Sequence, residues 1–413
     1  ALLTFRDYGV NSDEIAHFTN GPFLLDYYRL LIAEGFSPAT RAYYQASTYA
    51  YDMFAYSGLV DMVTALACRV SPLSPIATQH LIYALIGIFG GIGCWKLARW
   101  LRGPRTAFLA ILMLALIPAY YGHLFNNPKD IPFATAYIWS LYYLVRVLHQ
   151  PAPCPFSMVI RLGLAMGACM GIRFGGLLLP FYLATALALR QGMRIWRSRQ
   201  FQPALQEGFR IGVRVALPAL VLAYLIMMAA WPWIHPDPWV RPFQVLQTTC
   251  TRNLPFISVL FEGRMFTVDQ LPPTYLLKQF LIQIPLGWMA LFLLWPAGWW
   301  ITHQRSEPDS ARRFGEIGIA GACLFPLLYA LLRHAPVYNG FRHFLFILPP
   351  ACILAATTAA RLLDGLSAVH PRIGRMLFAL GAGYALFIAV NMALLHPFQY
   401  LAYNRLVGGL RGA

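Results

Sequence analysis

The chain has 413 residues, 58% of them hydrophobic and only 12% charged, about half the charged share of an average soluble domain. Folded in water it would expose large apolar patches and aggregate, so the composition excludes a soluble globular protein and makes the bilayer its solvent. The net charge of +16 comes from 32 Lys and Arg against 16 Asp and Glu; the basic residues cluster between apolar runs, as cytoplasmic loops do, so nucleic acid is not expected as a partner.

The first residues, Ala1-Leu2-Leu3-Thr4-Phe5, read as the tail of a first membrane helix whose start is missing. Residues 6–79 follow as a first long outer loop. It opens on Tyr8-Gly9-Val10-Asn11-Ser12-Asp13-Glu14. Two adjacent carboxylates at a membrane surface suit a general base or a cation ligand; the alternative is a solvated pair or a helix N-cap on Ser12 or Asp13. Leu24–Ile32 and Tyr49–Cys68 mix apolar and polar residues at helical spacing, with many tyrosines, which predicts amphipathic helices lying in the membrane interface.

About twenty apolar residues span a bilayer. Runs of nearly that length lie at 80–99, 106–122, 131–149, 211–231, 277–301, 314–332, 343–361 and 375–395. The stretch 157–190 is too long for one span, and Arg173 with Gly175-Gly176 divides it into two helices around a turn at 171–176. With the N-terminal remnant, about 11 transmembrane helices are expected in an all-α polytopic integral membrane protein. A second long outer loop, 232–276, begins beside Trp231, Trp233 and Trp239, an interfacial aromatic belt. Residues 408–413 stop without a cap, so both ends read as trimmed.

Orientation follows from the loops. The segments 96–105, 146–161, 190–214, 303–316 and 361–375 carry 18 Lys and Arg against five acidic residues. The rest of the chain carries 14 against 11, so the first set is assigned to the cytoplasm. No span holds an acidic residue near its middle, which argues against a proton- or sodium-coupled transporter. The seven cysteines show no metal-ligand spacing, and a Cys68–Cys250 disulfide stays open.

Three more clusters fall on the outer side. His123-Leu124-Phe125-Asn126-Asn127-Pro128-Lys129-Asp130 presents amides, an ammonium and a carboxylate between two apolar spans. A plain turn would need only Asn-Pro, whereas Lys129 beside Asp130 suits holding a phosphate and orienting a reacting group. Arg173, between Gly171 and Gly175-Gly176, reads either as a snorkelling helix-end residue or as an anion site in a tight turn. In Gly340-Phe341-Arg342-His343, Arg342 can fork onto a phosphate and His343 can exchange a proton.

Together these stretches resemble the bacterial branch of the dolichyl-phosphate-mannose–protein mannosyltransferase superfamily, lipid-carrier-dependent glycosyltransferases of the GT-C fold. The match is carried by Asp13-Glu14, by Asn127-Pro128-Lys129-Asp130-Ile131-Pro132-Phe133-Ala134 and by Arg342-His343-Phe344-Leu345-Phe346-Ile347-Leu348-Pro349-Pro350. Leu271-Pro272-Pro273-Thr274-Tyr275, His396-Pro397-Phe398-Gln399-Tyr400 and Asn404-Arg405-Leu406-Val407-Gly408-Gly409 complete it. The resemblance implies a single GT-C-like domain over 1–413, with an outer C-terminal region missing. It implies an inverting transfer on the outer face of a bacterial inner membrane, from a polyprenyl-phosphate sugar donor to a hydroxyl on an acceptor lipid, glycan or protein. Asp13 becomes the base, with Glu14 the second choice, and Asp130 the other acidic residue of the site. Lys129, Asn126, Asn127, Arg173, Arg342 and His343 are the substrate-binding candidates. Some relatives bridge a divalent cation between acidic residues of two outer loops; Asp13, Glu14 and Asp130 could do so, but Lys129 would compete, and no cofactor is expected to be required. The rival reading is a transporter or flippase for an anionic lipid, using the same cations without chemistry.

Overall fold

The computed structural model describes residues 1–51, 56–150, 153–251, 257–305, 310–335 and 337–409. Residues 1–7 form turns, and the first loop then folds into α1 (Ser12–Glu34), α2 (Pro38–Tyr51) and α3 (Leu59–Val70). After α4 (Pro75–Arg102), a left-handed Gly103 (φ 91°) turns the chain and Pro104 opens α5 (Pro104–Ala115). α6 (Pro118–Asn126) departs from α5 by 68°, since Pro118 offers no N–H to continue the helix. Next come α7 (Asp130–Leu148), α8 (Phe156–Met170), a 3-10 turn at Phe174–Leu177, and α9 (Leu178–Ser198). α10 (Phe201–Ile211) continues through a π segment, Gly212–Ala216, into α11 (Leu217–Ala230). The second long loop holds α12 (Arg241–Thr251) and an antiparallel hairpin, β1 (Ser258–Phe261) with β2 (Arg264–Thr267), in which Ser258 faces Thr267. Glu262 and Gly263, both at positive φ, supply its two-residue turn. α13 (Thr274–Gln283) and α14 (Leu286–Leu293) meet at 117° across Ile284-Pro285. α15 (Trp295–Arg305), α16 (Ser310–Leu332), α17 (Leu348–Val369) and α18 (Pro371–Leu394) complete the helices.

Six helical runs are long and apolar enough to cross a membrane: α4, α7, α10–α11, α16, Arg342–Val369 and α18. The number rises to eight, among the described residues, if each bent pair is one broken span. The polytopic all-α architecture is as expected, and the count of about 11 is not confirmed among the described residues. Residues 1–7 are turns, α8 has only 15 residues, and Arg190 and Arg194 dilute the apolar face of α9. The break expected near 171–176 is present. Cys68 is a free thiol whose Sγ approaches Pro75 O at 3.6 Å; the side chain of Cys250 lies outside the described residues.

The chain divides into two compact units, Ala1–Ile86 with Asn126–Thr251 and Gly87–Phe125 with Arg252–Ala413, the first boundary falling inside α4. In the first unit α8 packs against α7 and α11. Its Gly163 and Gly167, one turn apart, let the backbones approach: a Cβ at 163 would lie 2.9 Å from Ala219 O, and one at 167 would lie 2.7 Å from Ile226 Cδ1. Small residues at this spacing drive helix association in lipid, where burying apolar surface against a neighbour gains nothing over burying it in lipid tails.

In the second unit the buried first half of α17 packs against α5, α14 and α16. Buried Glu316 ties helix ends together, accepting from Arg102 Nε and Arg361 Nη2 at 2.8 and 2.7 Å. Asn404 explains how the α13–α14 break is tolerated. Its backbone N–H donates to Ile282 O, and its Nδ2 to Leu281 O and Ile284 O, at 2.6–3.0 Å. These are carbonyls that a helix interrupted at Pro285 leaves without partners.

Candidate functional site

The site begins where α1 begins. Asn11, not Ser12 or Asp13, is the N-cap: its Oδ1 accepts from Glu14 N at 3.0 Å while Glu14 Oε2 accepts from Asn11 N at 2.9 Å, a capping box. Asn11 Nδ2 also donates to Asn126 O, joining α1 to the last residue of α6, just before the loop that leads into α7. The other oxygen of Glu14 lies 2.8 Å from His80 Nε2 of α4, and His80 Nδ1 faces Phe5 O at 3.2 Å. Both ring nitrogens therefore point at oxygens, and Glu14, with 2% of its side chain exposed, is held by α1 and α4 together. Asp13, 25% exposed, is the carboxylate of the pair that a substrate can reach.

In the loop, Asn127 lies two residues before Lys129, the N-cap of α7. Asn127 Oδ1 accepts from Lys129 N (3.2 Å) and Asp130 N (2.7 Å), and its Nδ2 donates to Asp130 Oδ2 (2.9 Å). Asn127 thus fixes Asp130, its amide committed to the loop's own shape. The second oxygen of buried Asp130 pairs with Arg173 Nη1. Arg173 sits in the turn after α8. There Gly176 is required by contact, because a Cβ would fall 2.5 Å from Met170 N. The glycines let the chain approach its own backbone; the anion that Arg173 meets is Asp130. Lys129, almost wholly buried, brings its Nζ to 3.5 Å from Asp13 Oδ2 and 4.1 Å from the centroid of the Tyr56 ring. Asn126 is also buried, its Oδ1 without a hydrogen-bond partner among the described residues.

A line of alternating charge results: Asp13, Lys129, Asp130, Arg173. It draws on α1, the 126–130 loop and the turn after α8, and lies within the first unit. Arg342 and His343 belong to the second unit, half-buried at the start of the 3-10 turn before α17. Asn339 and Gly340, both at positive φ, and a hydrogen bond from Gly340 N to Tyr275 OH (2.8 Å) set their position; the His343 ring stands edge-on to Tyr338, 4.8 Å between centroids. The second unit also has a cavity of about 310 Å³ beside the α13–α14 break, walled by Tyr384, Phe387 and Asn404, which none of the expected site residues lines.

Sequence reading missed a second layer beneath Asp13. Asp61 of α3, buried, lies 3.0 Å from His17 Nδ1 through each of its oxygens, and its Oδ2 accepts from Asn20 Nδ2 at 2.6 Å. His17 and Asn20, three residues apart on α1, form one face. The available signal was three polar residues in a row, Thr78-Gln79-His80, where an apolar span starts; all three are buried. Further along α1, Tyr28 OH donates to Ala229 O at 2.5 Å and Tyr27 OH lies 2.9 Å from His235 Nδ1. His235 Nε2 faces Met228 O at 2.8 Å, so Nε2 carries the proton and Nδ1 accepts from Tyr27. Burial lowers the pKa of His235 and raises those of Tyr27 and Tyr28.

Asp13 and Asp130 each have a side-chain cation beside them, Glu14 faces His80, and among the described residues no three His, Cys, Asp or Glu side chains gather as a metal site.

Comparison with known proteins defines the class. Residues 75–234 match the dolichyl-phosphate-mannose-protein mannosyltransferase family, a segment that includes the loop 126–130 and Arg173. The fold resembles ArnT from Cupriavidus metallidurans bound to undecaprenyl phosphate, with a TM-score of 0.55 and 16% identity over 83% of this chain and 60% of that one. It also resembles the archaeal oligosaccharyltransferase AglB from Archaeoglobus fulgidus, in complex with an inhibitory peptide and a dolichol-phosphate (TM-score 0.51, 13% identity, 84% of this chain and 48% of that one). This chain thus spans less than two thirds of either protein. No curated protein matches it by sequence. The chain is a membrane protein of the GT-C glycosyltransferase fold. Its family resemblance is to the dolichyl-phosphate-mannose-protein mannosyltransferases.

Proposed function

We infer that this chain transfers a sugar from a polyprenyl-phosphate-linked donor to an acceptor hydroxyl, with inversion, at a site built on Asp13 and Lys129. The observation that carries the reading is their pairing: a reachable carboxylate beside a buried ammonium, on two elements fixed independently by Asn11 and Asn127. The lipid phosphates named for ArnT and AglB support the donor class, and the charge count of the loops supports an outward-facing site on a bacterial inner membrane.

In this reading the acceptor oxygen attacks the anomeric carbon while Asp13 takes the hydroxyl proton. The bond from that carbon to the phosphate oxygen breaks, and its electron pair leaves with the polyprenyl phosphate. Lys129 neutralises the phosphate; Asp130 and Arg173 hold the Lys129 loop in place; Glu14 and His80 hold the turn that carries Asp13. Inversion follows from direct displacement with no enzyme nucleophile between donor and acceptor. Neutralising the departing phosphate with a fixed cation meets the demand that a metal meets elsewhere.

Purified full chain with a labelled polyprenyl-phosphate sugar tests the proposal. Asp13→Asn keeps size and polarity but cannot take the proton. Transfer should fall by about 10²–10⁴-fold, the range for a general base, with donor binding preserved. Undiminished transfer by Asp13→Asn removes Asp13 from the role. Wild-type protein that binds the donor lipid, moves it across a vesicle bilayer and transfers to no acceptor supports the flippase instead.

A further inference from the structure

We propose that Tyr56 is a positioning residue, an aromatic shelf that holds the Lys129 ammonium, beside Asp13 in the free protein and against the phosphate once a donor is bound. The inference rests on the transfer reading above and concerns how its two reacting groups are kept ready.

At 3.5 Å the Lys129–Asp13 contact is longer than the 2.7–2.9 Å of a direct charge-assisted hydrogen bond. The ammonium also lies 4.1 Å from the Tyr56 ring centroid, well inside cation–π range. Lys129 is therefore shared between a carboxylate and a ring face. A ring face holds a buried cation charged but offers no lone pair in competition with phosphate oxygens. Kept over the ring, the ammonium can turn toward an arriving phosphate. In turning, it leaves Asp13 to accept the acceptor's proton, so the base is released only when the donor is in place.

The shelf is rigid. Two residues on, Gly58 N donates to Ala230 O at 2.8 Å and Leu59 N to Gly171 O at 3.3 Å, pinning the segment to the ends of α11 and α8. Gly58 has no alternative, since a Cβ would sit 1.9 Å from Leu24 Cδ1. The Tyr56 ring is met edge-on by His17, centroids 6.0 Å apart at 70°, and both oxygens of Asp61 hold that imidazole at 3.0 Å. The buried Asp61–His17 pair therefore has a function in this scheme: it props the ring that props the lysine.

The test reads two quantities on purified full chain in nanodiscs: affinity for undecaprenyl phosphate, and sugar transfer from a labelled donor. Tyr56→Phe keeps the face and should stay within about twofold of wild type in both. Tyr56→Leu removes the face and should weaken binding of the phosphate lipid about tenfold, the scale of a partly buried cation–π contact. In a Lys129→Met background Tyr56→Leu should add nothing, because the cation it serves is gone. If Tyr56→Phe loses as much as Tyr56→Leu, or if the two losses multiply in the double variant, the shelf is wrong. Tyr56→Gln replaces Tyr56→Leu should the latter not melt cooperatively. The binding arm keeps the outcomes separate: coupling between Tyr56 and Lys129 in phosphate binding stands or falls even if no acceptor ever receives a sugar.

Discussion

At the scale of residues, the two carboxylates at the start of α1 have separate duties. Glu14 is buried between a capping backbone and His80, so removing its carboxyl group leaves a buried imidazole nitrogen without its partner. Leaving a buried polar group unsatisfied typically costs about 1–3 kcal/mol. Glu14→Ala should therefore lower the thermal midpoint in detergent clearly, whereas Asp13→Asn should barely move it. Equal midpoints for the two variants would refute this division. His235 makes a pH-dependent contribution. Its folded pKa is lowered by burial below the ordinary 6.5, so the unfolded chain takes up the extra proton first as pH falls. The stability it gives is complete above about pH 6.5 and is lost progressively below that. The midpoint advantage of wild type over His235→Asn should shrink between pH 7.5 and 5.5; an advantage that grows would contradict the neutral tautomer.

Asp13, Lys129 and Asp130 could be singled out in the sequence because ionisable groups crowding a span end are costly unless used. His17, Asp61 and Tyr56 could not, since the same residue types at the same spacing describe any interfacial helix. Only the fold of the 6–79 loop brings 17, 56 and 61 together. The capping role of Asn11 was likewise hidden by Ser12 and Asp13, both good caps, directly after it.

At the scale of elements, close approach decides most. The α8–α11 seam has no room at Gly167, so Gly167→Ala forces Ile226 aside, and overpacking of this kind costs about 1–3 kcal/mol. Gly192 of α9 has nothing within 4 Å of a built Cβ. Gly192→Ala should therefore be neutral or stabilising by roughly 0.5–1 kcal/mol, as Gly→Ala is in open helix positions. Unfolding titrations in mixed micelles check the pair, and a destabilised Gly192→Ala would overturn the argument. Apolar periodicity located these helices without establishing how many of them span. It is blind to where a helix bends: the breaks at Pro118 and Pro285 sit inside runs that read as continuous. The partner that makes the second break tolerable, Asn404, lies more than a hundred residues further on.

At the scale of the whole molecule, the charge asymmetry of the loops makes a prediction about sidedness. In a cysteine-free background, Val70→Cys at the exposed end of α3 should react with a membrane-impermeant maleimide added to intact cells. Arg199→Cys, between α9 and α10, should react only after permeabilisation. The reverse pattern would invert the topology and with it the outward-facing site.

The meeting of α1 and the 126–130 loop has one more consequence. Lys129, at the N-cap of α7, reaches Asp13 in the first turn of α1 at 3.5 Å, so two helix N-termini meet at the site. The aligned peptide dipoles of each helix present roughly half a positive charge at that end. The pull on an anion is thus partly in the backbone, where no side-chain substitution reaches it. A Lys129→Met protein should keep a salt-sensitive remnant of its affinity for a lipid phosphate.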